Sequence, residues 1–145
     1  MRVFIVTERK RRQRGNALIE VGLILPMLFL MASGVIDFGR AFYFADVAAG
    51  AARAGAQYGI ESASNFNNNT GMQLAAQNDA QGVPNFSATA TSYCQDSSGN
   101  SVACTVAGAQ AFVKVSTSIS YSLIMPWPGL PNPLTIGGLA IMRSQ

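Results

Sequence analysis

The chain has 145 residues, with 49% hydrophobic and only 12% charged side chains, and a net charge of +3. Ordinary soluble proteins carry about 25% charged residues, and disordered chains are polar and highly charged, so this composition fits neither class. There is no histidine, which excludes imidazole-based acid/base chemistry, Ser-His-Asp hydrolysis and imidazole metal sites.

The charge is unevenly placed. Residues 1–14 hold six basic groups (Arg2, Arg9, Lys10, Arg11, Arg12, Arg14) against Glu8, a local balance of +5, whereas residues 15–145 balance at −2. A basic cluster confined to one end, directly against an apolar run, acts as an orientation signal on anionic lipid rather than as a nucleic-acid surface. No nucleic-acid partner is expected.

From Gly15 to Ile36 the chain reads GNALIEVGLILPMLFLMASGVI, with Glu20 as its one charge. As a helix this run is about 33 Å long, close to the roughly 30 Å hydrocarbon core of a bilayer. It is therefore a transmembrane candidate over 16–36, with the basic end cytoplasmic and the residues after Asp37 on the far side. Two alternatives stay open: a buried core helix, and a cleaved secretory signal, whose apolar region is normally shorter. Pro26 removes a backbone donor and is expected to kink the helix. Glu20 either snorkels to the nearby interface or needs a cationic partner inside the membrane.

After the run, residues 37–59 read as a continuation of the helix, rich in alanine and free of proline. Small residues recur at four-residue spacing (Ala41/Ala45, Ala48/Ala52, Ala51/Gly55, Gly55/Gly59), which permits close approach of another helix, as in subunit packing. Arg40, Phe42, Tyr43 and Phe44 fall where an outer membrane interface is expected.

The stretch R-G-N-A-L-I-E-V-x4-P-x10-D-F-G-R-A (14–41) resembles the start of a type IV prepilin, and most closely the TadE-like pseudopilins of the tight-adherence (Flp) pilus. The similarity continues through IDFGRAFYFADVAAGAARAGAQYG (36–59) and reappears in LPNPLTIGGLAIMR (130–143). The resemblance implies a basic leader, 1–15, removed by a prepilin peptidase between Gly15 and Asn16. It implies that Glu20, then fifth in the mature chain, aligns the subunit by pairing with a neighbour's new N-terminal amine. The partners it implies are the prepilin peptidase, other pilins and pseudopilins, inner-membrane pilus assembly proteins and membrane lipid; no cofactor or metal is implied. The family carries an aromatic after the glutamate and a small first mature residue, where this chain has Val21 and Asn16. The alternative these departures leave open is an uncleaved, single-pass periplasmic adaptor or binding module.

Residues 60–145 are expected to form a small α+β head. SNFNNNTG (64–71) reads as a loop, and GMQLAAQNDAQG (71–82) as a short helix stopped by Gly82-Val83-Pro84. From Phe86 the hydrophobic period becomes two. The clearest strand is 111–123, with Val113, Val115, Ile119, Tyr121 and Leu123 on one face; 86–94, 101–107 and 134–142 complete an antiparallel sheet of three or four strands. PWPGLPNP (126–133) is a rigid loop before the last strand. Cys94 and Cys104 flank the turn-forming Asp96–Asn100; outside the cytoplasm they are expected to pair as a structural disulfide. Asp79, Asp96 and Lys114 are not arranged as any base–nucleophile pair, so no enzyme is expected.

Overall fold

A computed structural model describes residues 10–144, with side chains described from residue 16 onward. The expected leader therefore lies largely outside the described residues. Helix α1 spans Lys10–Glu61 and runs through Pro26 as one assigned helix. Helices α2 (Ala63–Phe66) and α3 (Asn69–Asp79) follow, then strands β1 (Phe86–Gln95), β2 (Ser101–Val102), β3 (Gln110–Tyr121) and β4 (Leu134–Arg143). The chain divides into two compact units, with the boundary between Phe38 and Gly39.

In the first unit the apolar side chains of α1 point outward: Leu18, Leu23, Phe29 and Val35 are all largely exposed. None of the most apolar stretch of the helix is buried within the chain. A core helix hides its apolar face, so the core-helix alternative fails; a helix exposing leucine, isoleucine and phenylalanine is suited to lipid.

The second unit is the α+β head. Its four strands form one antiparallel sheet in the order β2-β1-β3-β4. As expected from the alternation, Val113, Val115, Ile119, Tyr121 and Leu123 are buried. They face α1 and α3, while Lys114, Ser116, Ser118 and Ser120 occupy the opposite face of β3. The central members, Val113, Val115, Ile119 and Met72, are fully buried, each contributing about 1.5–3 kcal/mol by burial.

The small residues of α1 are used differently from the expectation. Ala48, Ala51, Ala52 and Ala56 are completely buried within the head, so this face packs on the chain's own sheet and α3 instead of awaiting a helix from another subunit. Gly55 lies so close to the Met72 carbonyl, Val115 and Ala76 that a Cβ has no room, and Gly59 likewise meets Met72 and Val113. The closest approach is at Gly138 of β4, where an added Cβ would collide with the Ala48 carbonyl and the Thr117 hydroxyl. Thr117, itself buried, donates from Oγ1 to that carbonyl at 2.7 Å. The segment 39–59, which continues α1, thus forms the central helix of the head.

Two other boundaries differ. The asparagine-rich stretch expected as a loop holds α2 and the start of α3, because its polar residues are caps. Ser62 Oγ accepts from the Asn65 N–H, and Asn68 Oδ1 accepts from the Gly71 N–H at 2.9 Å. Strand β2 stops after Val102 because turns at Ala103–Val106 and Val106–Ala109 redirect the chain.

Replacing Gly138 by alanine is expected to destabilise the head by about 1–3 kcal/mol through forced separation of α1 from β4. Gly39→Ala, at a helical position with nothing within 4 Å, is expected to be neutral or slightly stabilising. Chemical denaturation of the two variants in detergent micelles checks both.

Candidate functional site

The sequence points to two places: the N-terminal part of α1, where processing and assembly residues are expected, and the hairpin that carries the two cysteines.

Gly15 falls in the second turn of α1, and Asn16, Glu20 and Val21 follow on the same helix with exposed side chains. Asn16 and Glu20 are one i,i+4 step apart, so they share a helix face one turn apart. Pro26 lies five residues beyond Val21, about one and a half turns, in the run that exposes its apolar residues. These positions follow one another along a single helix. Among the described residues no group of His, Cys, Asp and Glu is placed to hold a metal ion.

The cysteines sit at the far end of β1. Cys94 and Cys104 are joined by a disulfide with a Cα–Cα distance of 5.1 Å. Cys94 pairs with Val102 and with Ala111 across the sheet, so the bridge ties the short β2 side of the hairpin to the central strands. The turn between β1 and β2 is ordered by Asp96. Its carboxylate accepts from Asn100 Nδ2 at 3.1 Å, from Asn100 N at 2.8 Å and from Ser98 N at 2.9 Å. The Asn100 side-chain amide, with the backbone donors of Asn100, Ser98 and Gly99, holds the Asp96 carboxyl below its ordinary value of 3.8. Gly99, at φ 85°, supplies the left-handed residue the turn needs.

Sequence reasoning passed over Thr117, a hydroxyl in the middle of the apolar face of β3. The only signal was the gap it leaves in an otherwise apolar alternation. It also missed that Arg40 turns toward the sheet: its guanidinium lies 5.3 Å from the Tyr121 ring and 5.9 Å from the Phe44 ring. Phe44 is buried against Tyr121, whereas Phe42 and Tyr43 are exposed.

A long exposed apolar helix leading into a small disulfide-closed α+β head is an architecture compatible with a single-pass membrane anchor. Residues 15–57 match the family model described as TadE-like protein, which bears out the resemblance carried by the N-terminal motif. The match begins at Gly15 and ends inside α1; the sheet lies outside it. The family is one of structural, pilus-associated proteins and not of enzymes. No curated protein and no solved structure matches the chain significantly.

Removing the bridge by Cys94→Ala with Cys104→Ala is expected to lower head stability by about 2–3 kcal/mol, read from guanidinium denaturation. The sign for Asp96 follows from its lowered pKa: its stabilisation is complete above 3.8 and is lost as pH falls through the lower folded value. An NMR titration of the Asp96 carboxyl carbon should have its midpoint below 3.8; a midpoint at or above that value would show that Asn100 and Ser98 do not stabilise the anion.

Proposed function

We propose that the chain is a minor pilin or pseudopilin of a type IVb (Flp/Tad) adhesive pilus, acting as a structural subunit or assembly factor. It sits in the bacterial inner membrane with its N-terminus cytoplasmic and its head periplasmic, and a prepilin peptidase cleaves it between Gly15 and Asn16. The observation that carries this reading is the TadE-like match starting at Gly15 on a helix whose apolar side chains are exposed. The charge asymmetry supports the orientation, since basic flanks are retained on the cytoplasmic side. A disulfide-closed head fits an oxidising compartment.

The chemistry supports each assigned role. Gly15 lies near the start of α1, where a helix opens at least cost and where glycine, a poor helix former, lowers that cost further. Once cut, Asn16 carries a new amine, the cationic partner that makes a carboxylate at Glu20 tolerable in an apolar surrounding. Pairing between a neighbour's amine and Glu20 sets the axial register of two helices. The apolar stretch 17–36 then serves as membrane reservoir and, in a fibre, as core.

The second reading, an uncleaved anchored adaptor among the pilus assembly proteins, is favoured by Asn16 and Val21, where the family carries a small and an aromatic residue. Intact mass and N-terminal sequencing of the protein from membranes with and without the prepilin peptidase separate the two. A peptidase-dependent N-terminus at Asn16 is expected; a chain keeping Met1 to Gly15 in both samples establishes the adaptor. In parallel, Glu20→Gln is expected to insert and be cut normally yet fail to co-assemble with partner subunits. Normal assembly by that variant removes Glu20 from the mechanism.

A further inference from the structure

Between Lys114 and Arg143 the chain carries no Asp, Glu, Lys or Arg. The middle of this uncharged stretch is the loop joining β3 to β4, residues 122–133. Ile124 and Leu130 are exposed on it, and Met125 and Trp127 are half-buried. The loop is fixed rather than loose. The Leu123 N–H donates to Asn132 Oδ1 at 3.1 Å, and the Leu130 N–H closes a tight turn onto the Trp127 carbonyl at 3.2 Å, with Gly129 at φ 87°.

The loop is also tied to one place on α1. Arg40 Nη1 donates to the Ser122 carbonyl at 3.4 Å, and Trp127 packs against the cluster of Phe44, Tyr121 and Leu123. Phe42 and Tyr43 are exposed on the same stretch of helix. Arg40 is four residues beyond Ile36, the last residue of the apolar run, which amounts to about 6 Å of helix. The headgroup region outside the hydrocarbon core is about 5–8 Å deep on each side. A loop tied to Arg40 is therefore tied to a point only four residues of chain past the proposed span, within reach of the headgroup region.

We propose that residues 122–133, with Phe42 and Tyr43, form a membrane-docking surface that inserts into the headgroup–acyl boundary of the bilayer that α1 crosses, with Arg40 facing lipid phosphate. This rests on the reading of 16–36 as a membrane span. The composition of the loop suits that surface. Tryptophan and tyrosine are favoured at the interface, and no charge has to be desolvated. Pro126, Pro128, Pro131 and Pro133 have no N–H, so this irregular backbone carries few donors that lipid would leave unsatisfied. The Arg40 guanidinium has five donors, more than the Ser122 carbonyl takes.

Trp127 is the only tryptophan in the chain, so intrinsic fluorescence reports on the loop directly. The full chain is reconstituted into phosphatidylcholine/phosphatidylglycerol vesicles containing nitroxide lipids labelled either at the headgroup or deep on the acyl chain. Trp127 is expected to be quenched about twofold or more over the deep label by the shallow one, as interfacial placement requires. W127F/L130W, which moves the sole tryptophan to the exposed tip of the turn, is expected to be quenched at least as strongly. In chains that stay with the vesicles after an alkaline carbonate wash, failure of both positions to respond to lipid-borne label, with quenching by aqueous iodide, overturns the docking but not the anchor. Protection from iodide without lipid quenching assigns the loop to a protein partner and equally overturns it. Chains released by the wash overturn the anchor reading and this proposal together.

Discussion

The head depends on how closely its helix can approach its sheet. The closest point is the Ala48 carbonyl, which faces Gly138 of β4 and accepts from the buried Thr117 hydroxyl of β3. A side chain at 138 or a larger one at 48 would push the two layers apart, and the gap would reach Val113, Val115 and Met72 along the same interface. Thr117 is suited to this point because a hydroxyl satisfies the carbonyl oxygen that the absent side chain of Gly138 leaves uncovered. An apolar residue of the same size would fill the space and leave the oxygen without that donor. Close packing around small side chains gives this unit of just over a hundred residues a dense interior despite its modest supply of large apolar groups.

The same helix is written for two surroundings. Between Leu18 and Ile36 most of its side chains are large, apolar and exposed; between Ala48 and Gly59 the residues it buries, Ala48, Ala51, Ala52, Gly55, Ala56 and Gly59, are all small. Large flexible apolar groups suit lipid, where contact area is available on all sides. Small ones suit a sheet, where the approach of backbones is limited by Cβ atoms. The change of size along one unbroken helix is itself an assignment of environment. It accounts for much of the unusual composition, since neither environment calls for charge.

Most of this was legible in the sequence where one period dominated. The strand at 110–121 could be read from its alternation because Val113, Val115 and Ile119 face a dry layer and Lys114, Ser116 and Ser118 do not. The apolar run and its family motif were equally plain, being linear features that need no tertiary partner. What failed to show was what two distant segments do together. A four-residue spacing of alanine and glycine permits approach of any backbone, and nothing in it separates a neighbouring helix from the chain's own sheet. The asparagines and serine at 62–69 look like loop residues for the same reason that they cap helices: their short side chains compete for backbone N–H groups. Arg40 read as an interfacial charge, and its place over Tyr121 and Phe44 required knowing that residue 121 lies beside residue 44.

The outer face of the sheet shows how a head with so few charges stays wetted. Its hydroxyl residues, Ser87, Thr89 and Thr91 on β1 and Ser116, Ser118 and Ser120 on β3, lie opposite the buried face, and Ser87 and Ser118 hydrogen-bond across the strands at 2.8 Å. Hydroxyls hydrate the surface without imposing a field, so neighbouring copies do not repel one another as they would through a highly charged face. Such a surface places little electrostatic penalty on crowding of heads. The one strongly basic feature of the chain is then the N-terminal cluster at residues 9–14, directly before Gly15. Cleavage after Gly15 would remove five net positive charges from each copy, and with them the repulsion between the basic ends of close neighbours. In that reading one cut both creates the amine that Glu20 needs and removes the repulsion that would oppose packing of the helices.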